Sequence, residues 1–226
     1  MAKNGKDDVR TSIDEINDSL SSIEQHVENN QKIITWFIIG IVVVAALVLG
    51  YVYGIHIPNV EKAEVAMSDA DMQAAQGNDS VALVQYKAIA NEYSVAPANR
   101  ANLEVAIRLY DNGKYQEAIN YLEKFDVSEA LVGAASQSLM GDCYVNLKKY
   151  DEALKYFEKA VKISDDNSLY TPLFMMKEAT VYREQKNFKS EVEIYKTIDT
   201  KYPEFAQMYQ VDITKYLERA EQQAGA

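Results

Sequence analysis

The side chains able to do chemistry are few and poorly placed for it. The 226-residue chain holds one cysteine, Cys143, and two histidines, His26 and His56. A nucleophilic thiol or hydroxyl needs a base beside it, most often an imidazole. Neither histidine lies between Glu61 and Ala226, so nucleophile activation by histidine is excluded there. Cys143 stands beside Tyr144 within a helical pattern and is expected to be a buried structural thiol. A single thiol cannot close an internal disulfide, so the redox compartment stays open. Carboxylates are plentiful, but the adjacent pairs Asp151–Glu152 and Asp165–Asp166 fall at helix starts and turns, where they complement helix N-termini or stay solvated. No HExxH, GxGxxG or P-loop spacing occurs. The expectation is a non-enzyme with no catalytic, cofactor-binding or metal-ligating residues, no cofactor and no small-molecule substrate.

Charge narrows the partners. The formal net charge is −11, which disfavours nucleic acid, whose binders need a basic footprint, and general adhesion to anionic lipid headgroups. What remains is a protein-binding surface, and the elements that present it have to be found.

From Ile33 to Val60 there is no charged side chain. The most apolar part, Ile33 to Tyr53, is long enough to cross a hydrocarbon core of about 30 Å as a helix. Trp36 lies near one end and Tyr51 and Tyr53 near the other, the interfacial aromatic pattern. A transmembrane helix is expected over 33–55, ended by Pro58, with a short linker over 56–60. A cleaved signal peptide is disfavoured, because 32 mostly polar residues precede the segment and its apolar run is too long. Lys32 and Lys62 balance the two flanks, and Lys3, Lys6 and Arg10 tip the bias to an inside N-terminus. Ala46, Gly50 and Gly54 share one helix face, a small-residue spacing that lets membrane helices approach closely or is a chance feature of such helices.

Residues 1–32 form a polar segment with a heptad-like seam of Val9, Ile13, Ile16, Leu20, Ile23 and Val27. It suits a short coiled coil or partner-docking helix, and equally a plain amphipathic helix. Its many acidic residues weaken a lipid-surface role.

The rest of the chain reads as paired helices with a repeating pattern. The clearest copy has Gly141–Asp142–Cys143–Tyr144, Lys149 to Leu154, Tyr156–Phe157 and Ala160. An earlier copy has Ala106, Leu109, Tyr115, Ala118, Ile119, Leu122 and Phe125. A later one has Ala179, Tyr182, Phe188, Tyr195, Ile198 and Pro203. Tyr115 and Tyr150 are 35 residues apart, Tyr150 and Phe188 38. A degenerate copy keeps Ala70, Ala82, Tyr86 and Ile89, with Asp79 or Ser80 placed to cap its second helix.

These residues resemble the tetratricopeptide-repeat (TPR) family, in which a small residue at repeat position 8 lets the second helix pack closely and an aromatic at position 24 fills the space between turns. The resemblance implies an all-α solenoid over 61–226, with a degenerate repeat 61–98, repeats 99–133, 134–171 and 172–205, and a capping helix 206–224. At position 20 the later copy has Glu191 in place of alanine, so looser packing or a shifted helix is expected there. The family's concave groove, lined by first-helix positions 2, 5, 9, 12 and 13, would carry Arg100, Leu103, Ile107 and Tyr110, then Ser138, Asp142 and Asn146, then Leu173, Met176 and Arg183 as partner-binding residues. Their mixture of apolar, aromatic and isolated polar groups suits a peptide or partner helix. Leu103 and Ile107 stand where chaperone-tail-binding members carry a carboxylate clamp, which disfavours that role.

An anchor followed at once by a compact acidic array is similar to the YfgM-like ancillary translocon family over roughly Ile33 to Ala226, the N-terminal seam being a departure. The resemblance implies a single-pass protein of the cell inner membrane, N-terminus cytoplasmic and repeats periplasmic, serving the Sec translocon beside a membrane-anchored periplasmic chaperone of the prolyl-isomerase type. A scaffold of another envelope assembly or secretion complex, or a regulator with cytosolic repeats, are the alternatives.

Overall fold

The computed structural model describes residues 31–126 and 130–225. They are helical, with no strand among the described residues. The heptad-like seam at the N-terminus lies outside them. The chain divides into two compact units, one ending at Pro58 and the other running Asn59–Ala226.

In the first unit, residues 31–51 form α1. Every side chain along it is exposed, Trp36 at 73%. A row of Ile, Val and Leu open on all sides is unstable in water and suits a lipid environment. Among the described residues, the helical stretch containing α1 is the one long and apolar enough to cross a membrane. A Cβ built at Gly50 or Gly54 meets nothing within 4 Å, and Ala46 is likewise exposed.

Pro58 does not end the helix as its residue type predicts. The backbone forms a π-helical turn over Val52–His56, in which the Ile57 N–H bonds back to the Val52 carbonyl, and α2 (Ile57–Ala75) follows with Pro58 as its second residue. A proline cannot donate and its ring crowds the carbonyl one turn earlier; one extra residue in that turn makes room. Residues 56–60, expected as a linker, are therefore helical.

The second unit pairs α2 with α3 (Asp79–Glu92), α4 (Ala96–Asp111) with α5 (Tyr115–Leu122), α6 (Ala130–Asn146) with α7 (Tyr150–Ile163), and α8 (Tyr170–Glu184) with α9 (Phe188–Lys201). Each hairpin closes the same way. Gly77, Gly113, Lys148 and Lys186 all have φ between 59° and 79°. The next residue donates its N–H five residues back: Asn78 to Gln73, Lys114 to Leu109, Lys149 to Tyr144, Asn187 to Tyr182, at 2.8–2.9 Å. This left-handed Schellman closure satisfies carbonyls that a helix end leaves orphaned. It recurs at the same register in all four pairs, the degenerate first pair included. The turn into α3 is not capped by Asp79 or Ser80. Asn78 takes the N-cap position, its side chain bonded to Gln73, and Asp79 opens the first turn. Pro97 lies within the first turn of α4, which starts at Ala96, three residues before the expected repeat boundary.

The core follows from the same register. Ala70, Ala106, Gly141 and Ala179 are buried on the first helices, and Ala82, Ala118 and Ala153 on the second. Opposite them Tyr86, Leu122, Phe157 and Tyr195 are buried. Gly141 shows why the small residue is needed: a Cβ there would stand 2.5–2.8 Å from three ring atoms of Phe157.

Glu191 overturns the expectation of loose packing. It is 0% exposed and accepts a hydrogen bond at Oε1 from Arg219 Nη2 at 3.1 Å. The guanidinium lies 5.1 Å from the ring centroid of Tyr216, which stacks on Tyr195 at 5.6 Å. The carboxylate fits because the C-terminal helix supplies its counter-charge, as a buried ion requires. That C-terminal region is two helices rather than one: α10 (Pro203–Tyr209) and α11 (Ile213–Ala224). Gln210 turns left-handed at φ 53°, and Asp212 caps α11 by accepting from the Lys215 N–H at 3.0 Å.

Gly141→Ala is expected to lower stability by about 1–3 kcal/mol through overpacking on Phe157, against the gain of up to about 1 kcal/mol that alanine brings to an ordinary helix; thermal unfolding of the two proteins decides the sign. Arg219→Ala is expected to cost about 3 kcal/mol by leaving Glu191 buried and unpaired, while replacing both residues with methionine restores most of that loss in the same measurement.

Candidate partner-binding face

The first helices α2, α4, α6 and α8 carry the candidate residues, and polar contacts join each helix to the next. On α2, Asp71 receives the Tyr86 hydroxyl at 2.6 Å and Arg100 Nη2 of α4 at 2.7 Å. Burial and the Asp71 carboxylate push the Tyr86 hydroxyl up, and Arg108 lies over its ring at 4.5 Å. Between α4 and α6, Asn146 Nδ2 donates to the Tyr110 hydroxyl at 3.4 Å and to the Asp142 carbonyl at 2.9 Å. Between α6 and α8, Lys177 Nζ bonds Ser138 Oγ at 2.9 Å and pairs with the Asp142 carboxylate. Burial raises the Asp142 carboxyl above its ordinary range, and Lys177 opposes that rise.

The expected residues fall into three groups. Arg100, Ile107 and Asn146 are exposed, Ile107 at 37%. Leu103, Tyr110, Asp142, Leu173, Met176 and Arg183 are half-buried, with Leu103 and Tyr110 packed on the N-terminal core and Leu173 and Met176 on the C-terminal one. Ser138 is different. It is 3% exposed and its Oγ accepts from Lys177 Nζ, so it supports the face without presenting a group to a partner.

Asp71 and Lys177 were not foreseen. Lys177 lies outside the positions the family lines its groove with, yet it reaches back one repeat to Asp142. The available signal was spacing: Asp142 and Lys177 are 35 residues apart, one repeat.

Glu178, next to Lys177 in sequence, is 6% exposed and has no ion-pair partner among the described residues. Burial first, and the negative charge of Glu158 on α7 second, push its carboxyl up to about 7. The same two carboxylates help to raise the hydroxyl of Tyr182, one turn along α8. Cys143 is wholly buried, and burial pushes its thiol up to about 12, away from the thiolate a nucleophile needs.

Comparison with known proteins places this geometry. The tetratricopeptide-repeat family matches residues 134–167, the α6–α7 pair with its closing turn. No curated protein matches the chain. Among solved structures, the MamA protein is similar over 72% of this chain and 92% of its own, at 17% identity and a TM-score of 0.52. The putative kinesin light chain TPR-like repeats of Podosopora anserina are similar over 72% and 94%, at 17% and 0.51. BtubC (BKLC) from P. vanneervenii is similar over 77% of each chain, at 14% and 0.56. At these identities the likeness is one of fold alone: an all-α TPR-like solenoid. No catalytic family is indicated.

Glu178 makes a pH prediction. Its folded-state value of about 7 exceeds the ordinary 4.5, so between the two the folded chain holds the extra proton. Its contribution to stability therefore declines as pH rises from about 4.5 to about 7 and is fully lost above that. Glu178→Gln is expected to flatten this decline and to raise the melting temperature more at alkaline than at acid pH, read by thermal unfolding across a pH series.

Proposed function

We propose that the protein is a membrane-anchored adaptor that holds another protein on the face of α4, α6 and α8, as an accessory of the Sec translocon and its periplasmic chaperone network. The observation that carries the adaptor reading is the presence of α1, exposed along its whole length and apolar from Ile33 onward, together with a repeat face on which Arg100 is paired with Asp71 and Lys177 with Asp142 while Ile107 stays open. Paired rungs fix the register of the first helices without attracting solvent-borne ions. The apolar and aromatic positions between them, Leu103, Ile107, Tyr110, Leu173 and Met176, offer anchors for a peptide or helix. Arg100, Asn146 and Arg183 supply polar groups at its rim.

The translocon assignment is supported by the likeness of an anchor followed at once by an acidic array to the YfgM-like family. It requires the repeats to lie in the periplasm and α1 to cross the inner membrane, N-terminus inside. Ala46, Gly50 and Gly54 then offer a close-approach face within the bilayer.

The test uses intact membranes. A reporter fused after Ala226 is expected to register as periplasmic; a cytoplasmic reading sinks the translocon assignment and favours a regulator with cytosolic repeats. Photocrosslinkers at Tyr110 and Arg183 are expected to capture translocon and chaperone subunits, with Ile107→Glu reducing the yield about tenfold, the equivalent of one apolar anchor lost. Adducts made only of other envelope proteins would reassign the protein to a different assembly.

A further inference from the structure

The C-terminal cap holds a second cleft, lined by none of the first-helix residues named above. The turn at Gln210, Val211 and Asp212 and one face of α11, bearing Lys215, Tyr216 and Arg219, enclose about 570 Å3. Asp212, Lys215, Tyr216 and Arg219 follow the spacing that puts residues on one helical face. The left-handed backbone of Gln210, φ 53°, bends the chain to make the opposite wall. A strained non-glycine position of this kind persists only where its surroundings hold it.

The charges in the cleft are unequally committed. Asp212 points its Oδ1 at the Lys215 N–H as the helix cap. Arg219 is pinned by Nη2 to the buried Glu191 and by its guanidinium to the Tyr216 ring. Tyr216 is in turn fixed by stacking on Tyr195. Both Arg219 Nε and the second oxygen of Glu191 are buried without a hydrogen-bond partner among the described residues. Lys215 is exposed and has no ion-pair partner among the described residues. The lining thus offers one free ammonium and one rigid guanidinium a helical turn apart, against an aromatic wall and the half-buried Val211.

We propose that this cleft is a second protein-binding site, which takes an acidic side chain of a partner segment between Lys215 and Arg219 with an apolar residue of that segment on Tyr216 and Val211. A guanidinium fork matches a carboxylate, and two cations one turn apart can share one. The net charge of −11 disfavours a polyanion such as nucleic acid, which the surrounding surface repels; the attraction for a single carboxylate is local, from Lys215 and Arg219. The site would let the cap and the first-helix face hold different segments.

Fluorescence anisotropy of a labelled peptide alternating Glu and Leu, titrated with the full chain in detergent micelles, tests this against the same peptide with Gln for Glu. The Glu peptide is expected to bind more tightly. Lys215→Ala, at an exposed position outside the core, is expected to weaken it about twofold to fivefold, the range of one exposed charged contact. Added salt should weaken it further, and Ile107→Glu should leave it unchanged, which separates this site from the first-helix face. Equal binding of the Glu and Gln peptides, no saturable binding of either, or an unchanged Kd in Lys215→Ala overturns the proposal. Stronger competition by inorganic phosphate than by glutarate overturns the carboxylate assignment.

Discussion

Everything in the repeat unit depends on how closely two helices can approach at Gly141 and Phe157. The ring occupies the space where a β-carbon would stand, so the helices meet at near-backbone distance and the aromatic becomes the packing element between layers. The other three pairs use the same arrangement with alanine on the first helix. A helix pair of this size cannot bury its apolar face alone, and only stacking closes the core. The identical left-handed turns after each first helix follow from this requirement. The second helix must return at one angle to meet the next layer, and a single residue at positive φ sets that angle.

Buried charge is handled in two ways along the stack. At Glu191 the fold supplies a partner from α11 and the carboxylate tolerates complete burial. At Glu178 no ion-pair partner is present among the described residues, and the group settles the conflict by holding its proton near neutrality. The contrast fits the general cost of desolvating a carboxylate. It also explains why α11 is held to the stack by more than an apolar stripe: Glu191 leaves the last pair needing a counter-ion, which Arg219 of α11 provides.

Much of this architecture was legible in the residues. The small and aromatic positions repeat at a spacing that only stacked helix pairs explain, and Ile33 to Tyr53 has no polar stripe with which to sit in a soluble core. What escaped was of two kinds. Backbone solutions leave no composition signal: Pro58 reads as a stop, because the π turn that accommodates it is a choice of hydrogen bonding by its neighbours, and Gln210 gives no hint that it breaks the cap in two. Contacts between helices were the second kind. Register places Ser138, Asp142 and Asn146 on one side of α6, but not the reach of Lys177 back across from α8. It was that reach which showed Ser138 to be a support rather than a contact. Glu191 carries no sign of its partner in the repeat pattern, because Arg219 lies 28 residues away, in a stretch the sequence marks only as a capping helix.

The contacts between layers have a common length along the chain. Asp142 meets Lys177 and Asp166 meets Lys201 at 35 residues, Asp151 meets Gln185 at 34, and Tyr110 meets Asn146 at 36. A gene that gains or loses one whole repeat keeps such pairs in reach of each other. One that gains a few codons within a helix pulls every pair spanning the insertion out of line at once. The stitching therefore acts as a reading frame for length: it tolerates growth in units of one repeat and penalises anything smaller, so lineages of this protein should differ by whole helix pairs or by changes confined to the turns.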